Sequence, residues 1–176
     1  MTEQSYDDSP SPILGAARAV RVVEYEPRWR SDFARLNIEW IERWFSVEPA
    51  DREVLGDPER HVLANGGQVL FAVNESGHAV GTVALVRLDD GRVELTKMAV
   101  EPATRGLGVG RLLVVAALES FQQMNSPTLF LESNTRLEAA VKLYESVGFR
   151  HQPTLRVDSH HDRANVYMVW DPTASR

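Results

Sequence analysis

Arg105-Gly106-Leu107-Gly108-Val109-Gly110-Arg111 is the stretch on which the reading of this chain turns. Three glycines in five positions follow the strand-like run Leu95 to Val100, and an apolar-periodic segment begins at once afterwards. The order is strand, tight loop, helix. Glycine lets the backbone turn sharply and lets another group come close to the peptide N–H donors. A helix N-terminus adds unpaired donors and a partial positive charge. Together they form an anion site, most often for phosphate. Two phosphate loops fail on spacing. A P-loop ends in Lys-Ser or Lys-Thr, and neither pair occurs in the chain. A Gly-x-Gly-x-x-Gly dinucleotide loop counted from Gly106 needs a glycine where Arg111 stands, and counted from Gly108 needs one at Leu113. A third pattern, Arg/Gln-x-x-Gly-x-Gly/Ala, is met by Arg105, Gly108 and Gly110.

The rest of the composition bounds what the loop can serve. The chain has 176 residues, 43% apolar and 25% charged, ordinary for a soluble domain with a sizeable core. It has no cysteine, which excludes disulfides, thiolate metal sites and a cysteine nucleophile. Residues 1–8 are polar and acidic, unlike a signal peptide. The apolar run Leu112 to Leu118 is far short of the roughly 20 residues of a membrane span. A cytoplasmic protein without a membrane partner is expected. The net charge of −6, the pI of 5.4 and the lack of a basic run argue against nucleic acid. Asn74-Glu75-Ser76-Gly77 is read as a hairpin turn rather than a glycosylation site.

Along the chain, residues 1–17 are expected to be a loose tail, 18–171 one folded unit, and 172–176 a short C-terminal tail. Val20 to Tyr25 suits a strand. Pro27 suits a helix start, and Trp29, Phe33, Leu36, Trp40, Ile41, Trp44 and Phe45 recur at helical spacing. This aromatic stripe is read as core packing, with some members left to line a pocket. A short helix over Asp51 to Leu55 resumes near Pro58 to Ala64. Strands follow over Val69 to Val73, Val80 to Leu88 and Val93 to Val100. Gly108 to Met124 is a helix, Thr128 to Glu132 a strand, and Arg136 to Val147 a helix stopped by Gly148. Phe149 to Val157 and Val166 to Trp170 are the last expected strands. The fold class is α/β of the α+β type: one mixed, mostly antiparallel sheet of about seven strands with about four flanking helices.

Glu94-Leu95-Thr96-Lys97-Met98-Ala99-Val100-Glu101-Pro102 followed by the glycine loop resembles the central strand and cofactor loop of the GNAT-superfamily N-acetyltransferases. Glu132-Ser133-Asn134, Ala139-Ala140 and Leu143-Tyr144-Glu145-Ser146-Val147-Gly148-Phe149 resemble the next strand and helix of that family. The resemblance runs from about residue 18 to 171 and is strongest between Glu94 and Phe149. It implies an acetyl-CoA-dependent enzyme, a single GNAT-like domain acting as monomer or homodimer on a small-molecule primary amine. A protein or peptide amine, or a non-catalytic acetyl-CoA-binding regulatory module, stand as alternatives.

The resemblance also implies residue roles. The pyrophosphate of acetyl-CoA is expected on the N–H groups of Gly106, Leu107, Gly108, Val109, Gly110 and Arg111, with small residues at Gly108 and Gly110 giving it room. Arg111, and also Arg105, are placed to add charge-assisted bonds. The pantetheine arm is expected where the strands ending at Val100 and Glu132 splay apart, pairing with Val100. Met98 N–H would polarise the thioester carbonyl. Asn134 matches the position that bonds the arm from the other side, and equally suits a helix cap. Tyr144 matches the general acid for the leaving thiolate. Glu94 matches the base position of some members, and a carboxylate between strands suits that work if its pKa is raised. Lys97 lies on the opposite face from Glu94 by strict alternation unless a bulge re-aims it. Asp158, His160, His161 and Asp162 make a poor ligand set on a polar loop, so no metal is expected. Arg163 and Asn165 are within possible reach of the acceptor.

Overall fold

A computed structural model of the protein describes residues 20–157, 159 and 162–174. Seven strands form one sheet in the order β1-β2-β3-β4-β5-β7-β6. β1 (Val20–Glu24), β2 (Gln68–Asn74), β3 (Ala79–Arg87) and β4 (Val93–Val100) are antiparallel neighbours. β5 (Leu129–Ser133) runs parallel to β4, β7 (Val166–Trp170) antiparallel to β5, and β6 (Phe149–His151) forms the far edge. Four α-helices flank the sheet: α1 (Arg30–Trp44), α2 (Pro49–Gly56), α3 (Val109–Gln123) and α4 (Glu138–Ser146). The expected α+β architecture is the one that forms. No helix among the described residues is long and apolar enough to cross a membrane.

Each face of the sheet has its own core. Val109, Leu113, Val114 and Ala117 of α3 pack with Leu85, Leu95 and Leu131 on one face. Trp29, Phe33, Leu36 and Ile41 pack with Phe71, Val73 and Ala84 on the other. Trp29 stacks on Phe71 at 5.9 Å and Phe33 meets its edge at 6.4 Å, so the first part of the aromatic stripe is core. Burying such rings stabilises the fold by about 2–3 kcal/mol each.

β4 crosses between the two cores. Leu95 packs on the α3 side and Ala99, four residues on, packs on the α1 side. Regular alternation keeps both on one face. The exception is a β-bulge: Thr82 pairs with Ala99 but Ala84 pairs with Thr96, and Lys97 takes φ +49°. The opposite-face placement of Lys97 is therefore corrected, because the extra residue reverses the facing of everything after it.

Two expected boundaries also move. β6 stops at His151 rather than Val157. Gln152 N–H still donates to Tyr167 C=O at 2.9 Å, but Pro153 has no N–H to continue the ladder. α4 starts at Glu138 rather than Arg136. Asn134 takes the preceding amides, Arg136 N–H on Oδ1 and Leu137 N–H on the backbone carbonyl, both at 2.9 Å. The expected tail 1–17, and Asp158, His160 and His161, lie outside the described residues.

Candidate active site

β4 and β5 pair at only two positions, Val93 with Leu129 and Glu94 with Phe130. Beyond them the strands part, and a cleft of about 310 Å³ opens in the gap. Asn37, Trp40, Ile41 and Phe45 of the α1 region line one side, and Leu143 and Tyr144 of α4 the other. The later part of the aromatic stripe thus leaves the core for the cleft. Glu101 N–H donates to Val80 C=O on β3 at 2.8 Å. Alternation along an antiparallel strand then turns the amides of Val100 and Met98 away from β3, into the gap. The Val100 carbonyl there accepts Arg105 Nε at 3.1 Å.

The glycine loop closes one end of this cleft. Gly106 and Gly108 sit at φ +77° and +83°, left-handed backbone that side chains rarely adopt. Among the described residues, the N–H groups of Gly106, Gly108, Val109, Gly110 and Arg111 have no acceptor, and Leu107 N–H reaches Thr104 C=O only at 3.4 Å. Gly110 is also small for packing. A Cβ there would stand 3.2 Å from Met98 Cε and 3.4 Å from Leu143 Cδ2, so its bareness lets α3 seat against β4 and α4. Arg111 donates to Ser146 Oγ at 3.0 Å, joining α3 to α4. Burial, and the nearby charge of Arg43, lower the pKa of Arg105.

Tyr144 and Glu94 meet the cleft from different elements. Tyr144 is buried, and its hydroxyl donates to Met98 Sδ at 3.5 Å, a weak acceptor. Burial pushes its pKa up to about 12, so it stays protonated at neutral pH. Glu94 is pushed up to about 7, first by burial and then by the charge of Glu132, against the pull of Lys97 and Arg156. Arg156 Nη1 lies 3.8 Å from Glu94 and 3.7 Å from Glu132. Arg87 of β3 donates to Met124 C=O.

One buried group had no signal in the sequence reading, although its partners Lys97 and Arg163 were named there. Asp51 of α2 is fully buried; it accepts Lys97 Nζ at 2.9 Å and both terminal nitrogens of Arg163, at 2.8 and 2.9 Å. Arg163 also pairs with Glu48 at 3.0 Å. Burial raises the Asp51 pKa, but the Arg163 hydrogen bonds and the Lys97 charge outweigh it and hold the carboxyl well below the usual range. Asn134 Nδ2 donates to Arg163 C=O at 2.6 Å, while Asn165 accepts Thr135 N–H at 2.8 Å. These bonds tie the β6–β7 connection to the end of β5. The described residues contain no group of three or more metal-type side chains arranged to hold an ion.

The acetyltransferase (GNAT) family model matches residues 26–149. The chain is 32% identical over 93 residues to the uncharacterized N-acetyltransferase YjgM of Escherichia coli, covering 51% of this chain and 56% of that one. It is 34% identical over 98 residues to N-acetylaspartate synthetase of Rattus norvegicus, covering 55% of this chain and 33% of that one. The chain thus spans about half the length of the first relative and a third of the second. Among solved structures, yncA of Salmonella typhimurium with its cofactor acetyl-CoA superposes with a TM-score of 0.68 at 17% identity, covering 88% of this chain and 94% of that one.

Proposed function

The chain belongs to the GNAT acetyltransferase family, and from that premise we propose that it transfers an acetyl group from acetyl-CoA to the primary amine of a small molecule. The observation that carries this reading is the parting of β4 and β5 beyond Glu94, with unpaired loop amides at the end of the gap. The residues present fit acetyl-CoA. The N–H groups of Gly108 to Arg111 lack acceptors at the start of a 15-residue helix, which suits a pyrophosphate. The amides of Met98 and Val100 face the gap, which suits an extended pantetheine arm. Acetyl-CoA, when bound, supplies an acetyl group activated as a thioester.

The side chains then divide the work. Glu94 takes a proton from the acceptor's ammonium onto a carboxylate oxygen, freeing the nitrogen lone pair. An alkylammonium has a pKa of about 10, so few molecules are nucleophilic at neutral pH without this step. Met98 N–H donates to the carbonyl oxygen, where negative charge develops. The freed nitrogen attacks the carbonyl carbon, and the C–S bond breaks as the C–N bond is made. Tyr144 gives its hydroxyl proton to the departing sulfur and recovers one from the acylated nitrogen. Its present bond to a thioether sulfur supports that orientation. Trp40, Ile41 and Phe45 exclude water around the amine.

The test is thiol release from acetyl-CoA with a panel of amino acids including aspartate, polyamines, aminoglycosides and short peptides. Free CoA appearing with one or more small amines is expected. Release with peptides alone would move the acceptor to a protein amine. Tight acetyl-CoA binding without release across the panel would reject the enzyme reading for a binding module.

A further inference from the structure

Glu132 and Arg156 stand beside Glu94 without a role in the steps above. Glu132 lies on β5 two residues past Phe130, the partner of Glu94 across the parallel pair. In a strand that spacing puts Glu132 on the same face as Phe130 and Glu94. Its side chain is only 5% exposed, and Arg156 only 4%. The guanidinium carbon of Arg156 sits 4.6 Å over the Phe130 ring, fixing the cation between the two carboxylates. Ser159 Oγ donates to Glu132 Oε2 at 3.1 Å.

We propose that Glu132 and Arg156 are positioning residues that set how tightly Glu94 holds a proton, in opposite directions. Two carboxylates in a poorly solvated site resist being charged together, so the charge of Glu132 favours the protonated form of Glu94. The guanidinium favours the ionised form and keeps the proton from being held too firmly to release. A base needs this balance, because it must be ionised to collect the acceptor's proton and basic enough to draw it off. The proton moves from the acceptor nitrogen to a Glu94 oxygen and later to solvent; no electrons change hands.

Among the described residues, Arg92 also lies over the Phe130 ring, at 5.2 Å, and is paired with Asp90 at 2.7 Å. On β4, Thr96 favours the ionised form of Glu94, and Lys97 adds a positive charge held in place by Asp51 of α2. From the β6–β7 connection, Arg163 is engaged by Asp51 and Glu48. The β3 partner Val86 is apolar, and Asn37, Trp40 and Ile41 of α1 bring no charge.

This inference rests on Glu94 as the base, and the experiment separates the two. The pH profile of kcat/KM is measured for the wild type and for Glu94→Gln, Glu132→Gln, Arg156→Gln and Glu132→Gln/Arg156→Gln, with circular dichroism to confirm folding. The wild-type acidic limb is expected near pH 7. Glu132→Gln should move it down by about one unit, Arg156→Gln should move it up by about one unit, and the double variant should return it towards the wild type. Arg156→Lys should hold it near the wild-type position. A limb that survives Glu94→Gln rejects the base assignment. A limb lost in Glu94→Gln but unmoved, or moved the same way, in both partner variants rejects this inference alone. Should a variant not fold, ¹³C NMR titration of the wild-type glutamate carboxyl carbons decides. One carboxyl titrating near 7 with a coupled response from a second supports the inference, and independent titrations overturn it.

Discussion

Glu94 owes its chemistry to burial beside a second carboxylate, and its behaviour follows from that environment. With its pKa near 7, about half of it is ionised at neutral pH. In the proposed reaction Glu94 is the base; Glu94→Gln keeps the shape and removes that proton acceptor, so kcat/KM at pH 7 should fall by about 10²–10⁴-fold. The deficit should narrow towards pH 10, where free amine is abundant. Steady-state rates across that range check it, and wild-type activity at pH 7 would move the base elsewhere. The same shift has a cost in stability. A carboxyl with a raised folded pKa favours the fold below its unfolded value, about 4.3, and that contribution is lost as pH rises through about 7. Relative to the wild type, Glu94→Gln should therefore be more stable at pH 8 than at pH 5, read as the difference in Tm. Tyr144 is the complementary case. Burial keeps its hydroxyl protonated up to about pH 12. Tyr144→Phe removes the proposed proton donor while keeping the ring that meets Phe149 at 5.9 Å. Its kcat should drop by about 10²-fold with little change in the acetyl-CoA KM. A raised KM at constant kcat would make the tyrosine a binding group instead.

At the scale of elements, the β4 bulge is what makes one strand serve two cores and a cleft. Asp51 reaches it from α2 through Lys97, and reaches the β6–β7 connection through Arg163. Removing one partner from a buried ion cluster leaves the others uncompensated, at about 3–5 kcal/mol. Asp51→Ala should destabilise by that amount in denaturant unfolding, and Asp51→Asn/Lys97→Met should recover part of it. Equal losses in single and double variants would mean the Lys97 contact contributes little. Since its carboxyl is held below the ordinary range, Asp51 stabilises above a pH of about 3.9 and ceases to as pH falls through its lower folded value. Much of this architecture was legible beforehand. β4 and β7 have the expected bounds, because Val93 to Val100 and Val166 to Trp170 are flanked by turn residues or polar loop. The loop was legible because glycine advertises left-handed backbone. The bulge was not, since a lysine occupies its left-handed position and lysine carries no such signal. Asp51 was hidden for another reason: its partners lie 46 and 112 residues away, and no local pattern encodes such a pairing. Glu132 was read only as the end of a strand, because the cation beside it comes from a connection that the sequence suggested was strand.

At the scale of the whole molecule, a sheet continuous in order is open at its centre. β1 to β4 form one antiparallel block, β5 to β7 another, and two residue pairs join them. A central strand normally has all its amides protected, but β4 is protected on alternate residues only once past the bulge. Glu101 N–H is bonded to β3, and Ala99, opposite Thr82, faces the same way by alternation. Met98 and Val100 face the gap. Without ligand, hydrogen exchange should thus be slow at Ala99 and Glu101 and fast at Met98 and Val100, a two-residue rhythm inside a buried strand. The loop amides Gly108 to Arg111 should exchange fast as well. Acetyl-CoA at about 100 times its Kd should raise stability by about 2.7 kcal/mol, and it should also redraw this local pattern. Met98, Val100 and Gly108 to Arg111 should slow together, while Ala99 and Glu101 change only as much as global stability dictates. The loop conformation can be tested in the same measurement. Gly108 sits at φ +83°, so Gly108→Ala forces a side chain into left-handed backbone at about 1–2 kcal/mol. That variant should keep the β4 rhythm without ligand, because the strand is untouched. It should need at least tenfold more acetyl-CoA to slow the loop amides, because the donors are no longer held in one arrangement. Slowing confined to the loop with Met98 and Val100 unaffected would place the arm outside the gap. An unchanged ligand requirement in Gly108→Ala would remove the loop from the binding site.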